Sequence, residues 1–132
     1  MSDALRLRNG HDNVLANCDI AHVASAGILV SNGHRHRILS NNIRETGGVG
    51  IGASGGVKAT LEPCSHEVLN NDVSRAGNDF PVPAVRVGVG GASEILRDAV
   101  GLRVANNRVH DTANAGIAFG GAENVVEFNE VG

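Results

Sequence analysis

The 132-residue chain contains no tryptophan and no tyrosine, and only three phenylalanines, Phe80, Phe119 and Phe128. A typical globular core organised around large aromatic side chains is therefore excluded. Lysine is nearly missing too, with Lys58 alone beside ten arginines. The basic residues are scattered, Arg6/Arg8 and Arg35/Arg37 being the closest pairs, and the net charge is −3 with a pI near 6.0. The electrostatic footprint of a nucleic-acid binder is absent. No apolar run approaches the roughly 20 residues of a membrane helix. The N-terminus, Met-Ser-Asp-Ala-Leu-Arg, lacks the apolar centre of a signal peptide. Neither nucleic acid nor membrane is expected as a partner. Cys18 and Cys64 are too few for a disulfide framework or a cysteine metal motif.

Glycine, asparagine and valine are plentiful, at 18, 14 and 17 residues. Glycine and asparagine are weak helix formers, which excludes a helical bundle. With 42% hydrophobic and 19% charged residues the chain is too apolar for disorder. Glycine has no three-residue period, which excludes collagen. The length suits one domain with one modest core, spanning residues 1–132.

A repeat accounts for the excess. Five segments share the pattern aliphatic-x-x-Asn-x-aliphatic: Leu15–Ile20, Ile38–Ile43, Val68–Val73, Val104–Val109 and Val126–Val131. The Asn column reads Cys18, Asn41, Asn71, Asn107, Asn129, with cysteine in the first repeat only. A small-small-aliphatic motif follows, at Ala26-Gly27-Ile28, Val49-Gly50-Ile51, Pro83-Ala84-Val85 and Ala115-Gly116-Ile117. Apart from insertions in the second and third repeats, the period is about 22 to 23 residues. The intervening segments alternate apolar with small or polar residues, which is strand periodicity. Short strands at a fixed period, with Gly and Asn at the corners, predict a β-solenoid of about five to six coils. Stacking sets like residues over like, about 4.8 Å apart. It predicts one interior row of Ile28, Ile51, Val85 and Ile117, and another of Ile20, Ile43, Val73, Val109 and Val131. The Asn column is expected to form a side-chain hydrogen-bond ladder. Gly27, Gly50, Gly116 and Leu29 are expected on the outward face.

The segments Asn-Asn-Ile, Asn-Asn-Arg-Val-His-Asp and Ala-Gly-Ile resemble repeats of right-handed parallel β-helix proteins of the pectate-lyase-like superfamily. Residues 55–63, 66–73, 83–87, 103–111 and 118–131 look like bacterial β-helix proteins related to glycoside hydrolases. The resemblance covers Leu5 to Gly132 and implies an all-β, right-handed parallel β-helix. It also implies a segment of a longer chain, truncated at both ends, from a parent that is secreted or periplasmic. Uncapped coils would permit end-to-end self-association.

Function on a regular scaffold gathers at long insertions. The second-repeat insertion, Ser54 to Pro63, carries Lys58 and Glu62. The third repeat is entered through Gly77–Pro83, with Asp79 and Phe80, and left through Gly88–Gly101, with Arg97 and Asp98. Arg86 is the polar member of the outward column Leu29, Gly52, Arg86, Ala118. Stacking should bring these insertions side by side. Glu62, Asp79 and Asp98 are the candidate carboxyl groups for glycoside hydrolysis, which needs two of them roughly 5 to 9.5 Å apart. Lyase or epimerase chemistry needs a base beside a uronate, and Arg86 could pair with that carboxylate. Lys58, Phe80 and Arg97 are the candidate substrate contacts. The same charges also read as solvated loop residues. His22 and His110 fit corner hydrogen-bonding roles. His34-Arg-His36 has no third ligand at metal spacing, and no acidic cluster suits Ca²⁺. No cofactor is implied.

Two functions compete. One is part of a carbohydrate-active β-helix protein acting on polysaccharide, of glycoside hydrolase or polysaccharide lyase type, this segment inactive alone. The other is a noncatalytic β-helix scaffold or saccharide-binding module. The aromatic deficit bears on this choice, because saccharide grooves commonly stack sugars on aromatic faces.

Overall fold

In a computed structural model, residues 4–56, 60–78, 84–87, 99–112, 116–119 and 123–131 are described, with Arg86, Val87 and Phe119 as backbone alone. These residues form fifteen short strands in three five-stranded sheets. The first sheet takes β1 (Leu5–Arg8), β4 (Ile28–Ser31), β7 (Ile51–Ala53), β10 (Val85–Val87) and β13 (Ile117–Phe119). The second takes β2 (Val14–Ala16), β5 (Arg37–Leu39), β8 (Glu67–Leu69), β11 (Arg103–Ala105) and β14 (Val125–Glu127). The third takes β3 (Asp19–Val23), β6 (Asn42–Thr46), β9 (Asp72–Ser74), β12 (Arg108–His110) and β15 (Glu130–Val131). Every pairing is parallel and joins strands three apart in sequence order. The chain thus visits the three sheets in turn and returns one strand further along, the path of a parallel β-helix.

The register sets aliphatic over aliphatic in each sheet. Leu5, Ile28, Ile51, Val85 and Ile117 align in the first. Leu15, Ile38, Val68, Val104 and Val126 align in the second. Ile20, Ile43, Val73, Val109 and Val131 align in the third. Ile28, Ile43, Ile51, Val68, Val73, Val104 and Val109 are wholly buried in one continuous core. Each fully buried side chain of this kind stabilises the fold by about 1.5–3 kcal/mol. β-branched side chains fill the narrow interior, so it has no need of aromatics.

The corners are sharp because their residues adopt left-handed backbone. One column, Asn17, Ser40, Asn70, Asn106 and Phe128, has φ between 53° and 57°. Asn tolerates this region better than most residues. At the same corner the side chains of Asn41, Asn71, Asn107 and Asn129 hydrogen-bond in series. Asn41 Nδ2 donates to Asn71 Oδ1, Asn71 Nδ2 to Asn107 Oδ1, and Asn107 Nδ2 to Asn129 Oδ1, each at 3.0 Å. Each Oδ1 also accepts the main-chain N–H of the column residue one coil earlier, beginning with Cys18 N–H on Asn41 at 3.0 Å. Cys18 has no side-chain amide to continue the series, and its half-buried side chain packs against the core.

Two details correct the expected outward face. Gly27, Gly50 and Gly116 do not point to solvent. A Cβ on Gly27 would stand 2.8 Å from Ile43 Cγ2, and one on Gly50 or Gly116 would meet Val73 or Val131. These glycines lie where the chain turns from the third sheet into the first, so strand alternation does not carry through and the vacant Cβ position faces the interior. Leu29 is also covered, packing with Ala26 and Val49 in a second apolar cluster.

Candidate functional site

A groove of about 510 Å³ runs along the helix axis where the first corner meets the outer face of the second sheet. Two columns line it, with His66 between them. Asp12, Arg35, Ser65 and Gly101 form the corner column, all with φ between 56° and 72°. Arg37, Glu67 and Arg103 form the first outward column of the sheet, in register on β5, β8 and β11. Main-chain bonds fix both columns: Asp12 N–H on His34 O at 3.0 Å, Arg35 N–H on Cys64 O at 2.8 Å, Glu67 N–H on His36 O at 3.0 Å and Arg103 N–H on His66 O at 2.9 Å.

Arginine dominates the groove. Arg35 grips Asp12 with Nε at 2.8 Å and Nη2 at 2.9 Å. That contact, with a smaller one from His11, holds the Asp12 carboxyl well below the usual carboxylate range and raises the Arg35 pKa. Arg37 Nε donates to Glu67 at 3.1 Å, and Arg103 Nε and Nη2 reach Glu127 at 3.2 and 3.1 Å. These side chains are all about one third exposed or more, so each pair adds little stability. Three guanidinium groups here pair with three carboxylates, Asp12, Glu67 and Glu127, so the row is balanced in charge. A guanidinium carries five N–H donors, so pairing one edge leaves others for an incoming oxygen.

Beneath the groove lies a third column, Asn13, His36, His66, Leu102 and Asn124, two residues before each first motif aliphatic. His36 and His66 are buried and stacked, centroids 5.0 Å apart and planes 18° from parallel. Burial pushes the His66 pKa down to about 4. Cys64 is also buried, its Sγ donating to Val100 O at 3.2 Å, and burial pushes its pKa up. Among the described residues every buried side-chain nitrogen and oxygen has a hydrogen-bond partner. No group of three His, Cys, Asp or Glu side chains among them is placed to hold a metal ion.

The third sheet carries a separate charged face. His110 Nε2 meets Asp72 at 2.8 Å and Nδ1 meets Asp111 at 2.9 Å. Asp111 first, then Asp72, raises the His110 pKa. His22 does not share this column. It aligns with Glu45, Arg75 and Asp111 at left-handed corner positions, whereas His110 pairs in register with Ser74.

Of the candidates read from the sequence, Glu62 is exposed, its Oε1 3.8 Å from His34 Nε2. Arg86 sits in β10 between Gly52 and Ala118, as backbone alone. Lys58, Asp79, Phe80, Arg97 and Asp98 lie outside the described residues. The bases of two insertions do meet: Gly55 and Ala99 pair as a parallel bridge, and Val100 N–H donates to Gly55 O at 2.9 Å. The groove residues Asp12, Arg35, Arg37, Glu67 and Arg103 were not among the sequence candidates. The signal for them lies one and three residues before each first motif aliphatic, where Arg37, Glu67, Arg103 and Asp12, Arg35, Ser65 stack.

The sequence matches no family model and no curated protein. Among solved structures it is similar to the A-module of a mannuronan C-5 epimerase from Azotobacter vinelandii, with a TM-score of 0.68 and 15% identity. The chain is a parallel β-helix. At that identity the likeness concerns the fold alone. It extends over 98% of this chain and 39% of that one, so the chain spans about two fifths of the epimerase module's length.

Proposed function

We propose that this chain is part of a carbohydrate-active β-helix protein acting on polysaccharide, and that the described residues supply a glycan-binding face rather than the reacting groups. The arginine-lined groove carries this reading. It is open, runs along the axis over several coils and presents Arg35, Arg37 and Arg103 to solvent. Successive coils stand about 4.8 Å apart, so Arg37 and Arg103 repeat at about 10 Å. Such a repeat suits an extended polymer bearing carboxylates or hydroxyls at regular intervals, since arginine pairs bidentately with carboxylates. The solved polysaccharide epimerase module of the same fold adds support. Hydrolase or lyase chemistry would draw on Glu62, Asp79, Arg86 and Asp98, with Lys58, Phe80 and Arg97 as contacts.

Affinity electrophoresis of the chain through gels containing a polyuronate or a neutral glucan tests the binding. The polyuronate should retard the chain and the neutral glucan should not. Arg37→Ala/Arg103→Ala should weaken retardation about ten-fold, the equivalent of ~1.4 kcal/mol. No retardation by any polysaccharide contradicts the reading. Release of reducing ends or unsaturated products from the same glycans would move the assignment from binding to catalysis.

A further inference from the structure

The buried His36–His66 stack underlies the groove, and His66 belongs to the groove's lining. Their four ring nitrogens are all spent on main-chain groups of neighbouring coils. His36 Nδ1 accepts the Asn13 N–H at 3.3 Å, and His66 Nδ1 accepts the His36 N–H at 3.1 Å. His36 Nε2 meets Asn9 O at 2.7 Å and His66 Nε2 meets Asn32 O at 2.9 Å. A carbonyl only accepts and an amide N–H only donates, so both rings are neutral with the hydrogen on Nε2. A proton could add only at Nδ1, where it would face another N–H and break the bond between coils.

We propose that the stacked His36 and His66 form an acid-sensitive latch, which holds the groove corner in register at neutral pH and releases it when a proton adds at Nδ1. The same column shows what a non-titrating residue does there. Asn124 Oδ1 accepts the Leu102 N–H at 2.9 Å and Asn124 Nδ2 donates to Ala99 O at 3.0 Å. Asparagine therefore makes both bonds without a proton equilibrium, and only the second and third repeats use histidine. The charged and titratable groups around the stack are Asp12 and Arg35 on the corner, Arg37, Glu67 and Arg103 on the sheet, and Cys64 and His34 alongside. Asp12 is tied to Arg35 and Glu67 to Arg37. The His34 and His36 rings oppose a charge on His66. The His66 ring, neutral and buried, binds its proton less readily than in the unfolded chain. Its contribution is complete above about pH 6.5 and is lost as pH falls toward about 4. The latch stands whether or not the groove binds a glycan.

Imidazole ¹H–¹⁵N spectra and amide exchange of the full chain, recorded from about pH 7.5 down to about pH 4, test it. At neutral pH both rings should be Nε2–H tautomers. Protection of the Asn13 and His36 amides should fall at least ~10-fold on acidification, while the Asn41 and Asn71 amides change by less than ~2-fold. In His36→Asn/His66→Asn the selective loss should vanish, because the amides take over the bonds as Asn124 does. Rings that charge near pH 6.5 with unaltered amide protection overturn the latch. So does an equal, selective loss in the double variant. If that variant does not fold, the wild-type ring and amide titrations still decide.

Discussion

Asn71 shows how much one buried amide does in this fold. Its Oδ1 accepts both the N–H and the side-chain Nδ2 of Asn41, at 2.9 and 3.0 Å. Its Nδ2 donates to Ile38 O and Asn107 Oδ1, both at 3.0 Å. Replacement by alanine takes the side-chain acceptor from the buried Asn41 N–H and a side-chain donor from Ile38 O, and a buried group left unsatisfied costs about 1–3 kcal/mol. Asn71→Ala should therefore destabilise by ~3 kcal/mol in urea unfolding followed by far-ultraviolet circular dichroism. A loss below ~0.5 kcal/mol would mean that water replaces the amide, and that the series is decoration on the corner.

At the scale of the strand and its corner, small residues set how tightly the sheets join. Gly50 precedes β7, and an added Cβ there overlaps Val73 of the third sheet and comes within 3.1 Å of Ala84 O. Gly50→Ala should cost about 1–3 kcal/mol by overpacking, measured as a lower thermal midpoint. An unchanged midpoint would show that the corner gives way. This corner also marks where the sequence stopped being legible. The aliphatic rows were readable because a fixed period puts Ile over Ile or Val in all three sheets. Alternation in-and-out puts the glycines on the wrong side because it holds within a strand and fails across a bend. The groove lacks a sequence signature for a related reason. Arg37 and Arg103 belong to one column that precedes the repeat motif and is interrupted by Glu67, so no single residue type marks it. His36 and His66, 30 residues apart, fall in one column only when the insertion after Ile51 is discounted.

At the scale of the whole molecule, three one-sided parallel sheets close around an aliphatic interior, and their outer faces differ in kind. The third sheet carries ion pairs such as Arg44–Asp19 and His110–Asp72. The second carries the arginine groove, under which the histidine stack joins successive coils. The proposed occupant of this groove is polysaccharide. Adding a short polyuronate to the ¹⁵N-labelled chain and mapping amide shift changes tests it most directly. Changes concentrated at residues 12, 35–37, 65–67 and 101–103, and abolished in Arg37→Ala/Arg103→Ala, are the predicted result. Changes confined to the His110 face, or none at saturating polyuronate, would contradict it.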